Sequence, residues 1–171
     1  MGFIDKVINT SRLKSPWILH FDCGSCNGCD IEVLACLTPI YDVERFGVVN
    51  TGNPKHADVL LVTGTVNHRN KHVLRQLYEQ MPDPKVVVSI GACNLSGGVF
   101  KDSYNILNGA HNVIPVDVFV PGCPPKPEAI IDGVVTALDV LKAKMGLGEA
   151  PKPTIMPDET AAPVQNQDSE N

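Results

Sequence analysis

The chain has 171 residues, a formal net charge of −5 and a hydrophobic fraction of 43%. This length suits one domain of ordinary size, and the hydrophobic fraction excludes disorder throughout. The acidic balance argues against a nucleic-acid partner, which would require a basic face. No stretch approaches the roughly 18 apolar residues of a membrane span, and charges at Asp5, Lys6 and Arg12 interrupt any secretory signal core.

Six cysteines are present, which is an even number. In a chain of this length that is predicted to lack a secretory signal, a disulfide framework is not expected. Metal or redox chemistry is therefore the leading hypothesis for these thiols.

Three segments of the chain differ in composition. Residues 1–15 place apolar side chains at helical spacing and end in basic ones, which predicts an amphipathic helix. Such a helix either docks on a partner or a membrane surface, or packs on its own domain. Residues 16–145 are predicted to form the folded domain. Residues 146–171, rich in proline and small polar residues, are predicted to be a disordered tail.

Strands and helices alternate along the central segment. Strands are expected at 17–21, 48–49, 58–63, 85–90 and 116–120, and helices at about 30–38, 73–81 and 127–141, with a glycine-rich loop over 94–112. The longer strands are apolar runs rather than alternating patterns, which indicates a parallel sheet covered on both faces. The predicted fold class is therefore α/β, a small doubly wound, flavodoxin-like parallel sheet with helices on both faces.

Four of the cysteines directly follow predicted strands. Cys26 and Cys29 come after the first strand, Cys93 after the fourth and Cys123 after the fifth. Because the carboxyl ends of parallel strands share one edge of the sheet, we expect these four thiols to converge there. Glycines beside them would let backbone amides approach inorganic sulfur closely.

Two kinds of metal site are compatible with this pattern. Structural zinc usually takes two C-x2-C pairs, and only one pair is present if Cys93 and Cys123 act singly. Iron–sulfur clusters accept scattered single cysteines, so a [4Fe–4S] cluster is favoured. Cys23 is left open as a ligand, a neighbour of the cluster or neither. Cys36 is predicted to be a buried helix thiol.

Three motifs of the chain resemble the small subunit of [NiFe]-hydrogenases and the homologous cluster-bearing 20-kDa subunit of respiratory complex I. They are 26–32 (CNGCDIE), 91–100 (GACNLSGGVF) and 120–128 (VPGCPPKPE). The phrases 41–47 (YDVERFG) and 57–64 (ADVLLVTG) strengthen the resemblance.

Two departures point to one branch of this superfamily. The complex I subunit usually has adjacent cysteines where Cys26 and Cys29 are separated by two residues, which is the hydrogenase pattern. Uptake hydrogenase small subunits continue into a region with further clusters, whereas no cysteine follows Cys123 here. The chain therefore looks most like the energy-converting, membrane-bound group-four hydrogenases.

This resemblance implies a role in electron transfer. Cys26, Cys29, Cys93 and Cys123 would hold one [4Fe–4S] cluster, and Cys23 would lie outside the ligand set. The cluster would pass electrons from a ferredoxin donor or a ferredoxin-type iron–sulfur subunit to a nickel–iron centre in the partner large subunit. There protons would be reduced reversibly to H2, coupled to ion movement by membrane-embedded subunits. The chain would sit at the cytoplasmic face of the membrane, attached through its partners.

Two alternatives stay open. One is the equivalent cluster subunit of a complex I-like quinone-reducing or sulfur-reducing oxidoreductase. The other is a non-redox, zinc-binding structural subunit.

Other polar residues near the motifs have weaker assignments. Glu32 either serves a proton path or a partner interface, or is only an acidic residue in the first turn of a helix. His20 is expected to be a packed or capping histidine rather than a ligand. The remaining histidines are expected to be solvated: His56, His68, His72 and His111.

Overall fold

A computed structural model describes residues 3–148, without the side chains of residues 3–6. The predicted tail therefore lies outside the described residues except for positions 146–148.

The described residues form a five-stranded parallel sheet. Its strands are β1 (Trp17–Asp22), β2 (Val49–Asn50), β3 (Val59–Thr63), β4 (Val86–Ile90) and β5 (Val118–Val120). They lie in the order β2-β1-β3-β4-β5, which is the flavodoxin-like order. The predicted fold class is confirmed.

Five α-helices connect or flank these strands: α1 (Phe3–Lys14), α2 (Gly28–Cys36), α3 (Lys71–Gln80), α4 (Ala92–Ser96) and α5 (Pro127–Lys144). Pro127 begins α5 because the first helical turn needs no backbone N–H donor there. No helix within residues 3–148 combines the length and apolar character needed to cross a bilayer.

The core has two layers, one on each face of the sheet. One layer packs α2 and α5 against the sheet, and the other packs α3 against the opposite face. Consecutive strand residues alternate between them: Leu61 belongs to the first layer and Leu60 to the second. Every residue of β3 and β4 is buried because both faces of these strands are covered.

The loop predicted at 94–112 contains more regular structure than expected. The short helix α4 begins before it, and 3-10 turns occur at Gly98–Phe100 and Ala110–Asn112. A five-residue helix is too short to show an apolar period in the sequence, so the pattern does not predict it.

Helix α1 packs on its own domain. Arg12 forms an ion pair with the buried carboxylate of Asp58 at 2.5 Å and donates to the carbonyl oxygen of Pro84 at 3.1 Å. Leu13 packs against the layer that contains α5. Of the two placements considered for this helix, the structure shows packing on its own domain. Val7 and Ile8 on the same helix are half exposed.

Candidate metal centre

The four predicted ligands all lie at the carboxyl edge of the sheet. Cys26 lies in the loop after β1, Cys29 in the first turn of α2, Cys93 in α4 after β4, and Cys123 after β5. Two backbone hydrogen bonds join the segment that leads into Cys93 to the segment that leads into Cys123. Gly91 N–H donates to the oxygen of Val120 at 2.9 Å, and Ala92 N–H donates to the oxygen of Gly122 at 2.8 Å.

The thiols lie close enough to act on one another electrostatically. Burial raises the pKa of the Cys29 thiol to about 11, and negative charge on Asp30, Cys93, Cys26 and Cys123 adds to the rise. Burial also raises the pKa of Cys93, with further contributions from Cys123 and Cys26. Such effects weaken with distance, so the structure brings the four predicted thiols into one neighbourhood. Bound cations would favour the thiolate forms of Cys29 and Cys93, whose pKa values burial raises.

Glycines leave room around three of the sulfurs. A Cβ at Gly91 would lie 2.5 Å from Sγ of Cys29, and one at Gly98 would lie 3.0 Å from Sγ of Cys93. At Gly28 a Cβ would approach Sγ of Cys26 to 3.5 Å. Three of the sulfurs thus lie against glycine backbone, which brings backbone amides close to a bound inorganic cluster.

A single metal ion is a poorer match to this geometry. Within residues 3–148, no group of three or more histidine, cysteine or acidic side chains is arranged to hold one ion. A tetrahedral zinc ion with Zn–S bonds of about 2.3 Å would need sulfurs about 3.8 Å apart. A cluster of several irons holds its ligands further apart, so the residues present fit an iron–sulfur cluster better.

The other two cysteines lie inside the protein. Cys23 is fully buried and packs in the layer with α3, on the opposite face of the sheet from Cys29 and Cys36. Cys36 is buried in α2, where its Sγ contacts the carbonyl oxygens of Glu32 at 3.3 Å and Pro127 at 3.6 Å. The prediction that Cys36 is a buried helix thiol is confirmed.

A hydrogen-bonded network around Asp30 was not predicted. Oδ1 of Asp30 accepts from Thr63 Oγ1 at 2.6 Å and lies 2.9 Å from Nε2 of His20, while Oδ2 accepts from the hydroxyl of Ser25. Burial by itself raises the pKa of Asp30, but the bonds from Ser25 and Thr63, together with His20, outweigh it and hold that pKa below its usual value. Polar residues in largely buried strands, such as His20 and Thr63, need hydrogen-bond partners. Their presence in the predicted strands is the sequence signal that could have indicated this network.

A second unpredicted contact holds Cys93 in place. Its neighbour Asn94 is fully buried, with Oδ1 2.5 Å from the hydroxyl of Ser89 and Nδ2 donating to the oxygen of Gly64 at 3.0 Å. These bonds join α4 to the ends of β4 and β3.

Glu32 lies half-buried on α2, three residues after Cys29. Burial raises the pKa of the Cys36 thiol to about 11, and the negative charge of Glu32 contributes to this rise. Tyr41 and Glu128 lie nearby and share a hydrogen bond of 3.3 Å. A role for Glu32 in proton movement or partner binding stays a prediction.

Residues 26–137 match the protein family described as NADH ubiquinone oxidoreductase, 20 Kd subunit. This chain belongs to that family. The match includes all four converging cysteines, and it confirms the resemblance found in the sequence motifs.

One relative of this chain is the "Probable membrane-bound hydrogenase subunit mbhJ" of Pyrococcus furiosus. It is 57% identical over 138 residues, which cover 81% of this chain and 82% of the relative. The family and this relative both carry names of oxidoreductase subunits.

Solved structures agree with this assignment. A chain of the membrane-bound sulfane sulfur reductase, an archaeal respiratory membrane complex, matches with a TM-score of 0.70 and 38% identity, covering 80% of this chain and 76% of that one. A chain of the NAD+-reducing [NiFe]-hydrogenase shares the fold, with a TM-score of 0.58 and 21% identity over 81% of this chain and 96% of that one.

Proposed function

We propose that this chain is the electron-transfer subunit of a membrane-bound [NiFe]-hydrogenase complex. In this proposal Cys26, Cys29, Cys93 and Cys123 hold one [4Fe–4S] cluster. The observation that carries the proposal is the convergence of these thiols at one sheet edge, against glycines that leave space beside the sulfurs. When bound, the cluster supplies transfer of one electron at a time.

The residues of the chain hold and shield this site. Cys29 is buried, Cys93 is half-buried, and Cys26 and Cys123 are exposed at the surface. The buried side lowers the local dielectric, whereas the exposed side gives a partner close access to the sulfurs. Electrons would therefore enter or leave on the side of Cys26 and Cys123.

Exposed apolar side chains lie on the segments that carry these cysteines. We call this set the apolar rim: Ile31 and Leu34 on α2, and Val99 and Tyr104 after α4. Exposed apolar side chains on the segments that carry a redox site favour a protein partner rather than solvent. The partner in this proposal is the large subunit that carries the nickel–iron centre, where two electrons and two protons combine reversibly to give H2.

Further partners follow from the same proposal. A ferredoxin or a ferredoxin-type iron–sulfur subunit supplies the electrons, and membrane-embedded subunits couple the flow to ion translocation. The chain is then peripheral, at the cytoplasmic face of the membrane, and held there by its partners. The name of the mbhJ relative supports this placement.

A second candidate function is the equivalent subunit of a sulfur-reducing or quinone-reducing complex. The 38% identity to a chain of the sulfane sulfur reductase favours it. The co-purified large subunit separates the two: two C-x2-C pairs and H2 production with a reduced ferredoxin favour the hydrogenase, and their absence favours the alternative.

The cluster itself is tested by anaerobic purification of the full chain with its accompanying subunits. We expect iron and acid-labile sulfide in equal amounts and an EPR signal on reduction. Serine at position 26, 29, 93 or 123 should abolish the signal of this cluster, whereas serine at 23 or 36 should preserve it.

Two results would contradict the proposal. A colourless chain that contains zinc and lacks iron and sulfide would support the structural zinc alternative. Loss of the cluster in Cys23→Ser together with retention in Cys26→Ser would overturn the ligand set.

A further inference from the structure

The carboxylate of Asp30 joins three separate segments beside the candidate cluster site. It accepts hydrogen bonds from Thr63 at the end of β3 and from Ser25 in the cysteine loop, and it contacts His20 in β1. Its side chain is only 14% exposed, and that of His20 is 21% exposed. The network is thus largely sheltered from water, where such bonds are stronger.

The same network fixes the backbone on both sides of Cys26. The hydroxyl oxygen of Ser25, which donates to Asp30, also accepts from the N–H of Asn27 at 2.9 Å. Upstream, Oδ1 of Asp22 accepts from the N–H groups of Gly24 and Ser25, each at 2.8 Å. Cys26 therefore lies between Ser25 and Asn27, which the hydroxyl of Ser25 links to each other and to Asp30.

Asp30 also follows Cys29 directly, and both residues lie in the first turn of α2. Movement of its carboxylate would therefore shift Cys29 through the shared backbone and Cys26 through Ser25. No other acidic side chain described in residues 7–148 is hydrogen-bonded to this loop apart from Asp22, which contacts only its own turn there.

We propose that Asp30 is a positioning residue for the cluster site, because its hydrogen bonds to Ser25, Thr63 and His20 set where Cys26 and Cys29 present their sulfurs. This inference rests on the proposed function. Asp30 does not touch the iron. Its fixed negative charge beside Cys29 also disfavours the addition of an electron to the cluster.

Two substitutions separate the hydrogen bonds from the charge. In Asp30→Asn, Oδ1 can still accept from Thr63 and His20, and Nδ2 can donate to Ser25, whose oxygen has two lone pairs. In Asp30→Ala all of these bonds are lost. Asp139→Asn is the matched control, since it removes one negative charge from an exposed ion pair on α5.

The measurements are made on the full chain, purified anaerobically with its accompanying subunits. We expect Asp30→Ala to lose iron to a chelator roughly tenfold faster than the unchanged protein, with altered EPR g-values. Asp30→Asn should keep the chelator resistance and g-values, while its midpoint potential becomes more positive. Asp139→Asn should change none of these properties. A residue that only stabilised the fold would lower the unfolding temperature without moving the potential or the g-values.

Ser25→Ala keeps the inference testable where Asp30→Ala does not fold. It removes the link between Asp30 and the cysteine loop, so chelator resistance should fall while the potential changes less than in Asp30→Asn. Unchanged chelator resistance in both Ser25→Ala and Asp30→Ala would overturn the inference. Absence of any cluster in the unchanged chain would instead overturn the proposed function.

Discussion

Gly91 illustrates how one residue without a side chain shapes the candidate centre. Its backbone has φ +86°, a conformation that L side chains rarely adopt, and a Cβ there would lie 2.5 Å from Sγ of Cys29. At the same time its N–H donates to the oxygen of Val120. Glycine is therefore required at this position for two reasons: the backbone conformation disfavours a side chain, and the sulfur of Cys29 occupies the space that a Cβ would need.

We expect Gly91→Ala to lower the cluster content because the new methyl group must displace either Cys29 or the start of α4. With φ +86° and ψ +153°, Gly91 adopts a backbone conformation that is essentially restricted to glycine, so a side chain there adds about 1–3 kcal/mol of strain. Iron and sulfide per chain are the measurement. The control is Gly52→Ala, since nothing lies within 4 Å of a Cβ at that position. Equal cluster content in both variants would contradict the steric argument.

For individual residues, the sequence predicts where the cysteine thiols lie better than it predicts the hydrogen-bonding residues around them. The convergence of Cys93 and Cys123 follows from topology alone, because both come after parallel strands. The contacts of Asp30 and Asn94 join segments far apart in the chain, and no local pattern encodes such pairs. The prediction that His111 is solvated was wrong: its Nδ1 is buried without a hydrogen-bond partner, and burial lowers its pKa.

Among the secondary-structure elements, α1 depends most on a single polar contact. Arg12 reaches Asp58, whose side chain is only 6% exposed and whose Oδ2 also accepts from the N–H of Trp17 at 3.1 Å. Removal of the guanidinium would leave a buried carboxylate without its cation. That change is costly even when one hydrogen bond remains.

We expect Arg12→Ala to reduce the free energy of unfolding by about 2–4 kcal/mol, less than for a fully buried pair because Arg12 is partly exposed. Urea unfolding followed by circular dichroism measures this change. Lys14→Ala, an exposed basic residue in the same helix, is the control and should have little effect. Similar losses in the two variants would contradict a specific contribution of the ion pair, because alanine has a higher helical propensity than either arginine or lysine.

The strands were predicted more accurately than the connections between them. Apolar runs predicted β3 and β4 to within one residue, because strands buried on both faces need apolar side chains throughout. The connection from 94 to 112 was not predicted in detail. Its structure depends on glycines such as Gly97 and on the buried side chain of Asn94, neither of which has a periodic signature.

For the molecule as a whole, the apolar rim is the set of exposed apolar side chains on the segments that carry the cysteines. Val99 is 87% exposed and belongs to the turn after α4. Exposed apolar side chains occurring singly are ordinary, but several on the segments of one site indicate an interface. In the proposed complex this surface faces the large subunit.

We expect Val99→Asp to weaken binding of the large subunit by roughly tenfold, about 1.4 kcal/mol, because a carboxylate would be buried at the interface. Co-purification of the large subunit, quantified per chain, is the measurement. Iron content should not change, since Val99 contacts Cys93 through its backbone, which the substitution retains, and not through its side chain. Val73→Asp is the control: Val73 is also an exposed valine, but it lies on α3, a helix that carries no cysteine. Equal recovery of the large subunit with both variants would exclude Val99 from the interface.

The ion pair between Arg12 and Asp58 lies at the amino ends of the strands, whereas the cysteines lie at the carboxyl ends. Five-residue strands of about 3.3 Å per residue separate these two poles by roughly 17 Å. The chain therefore has two separate ends at which partners could bind, and a mutation that weakens binding at one end need not weaken binding at the other.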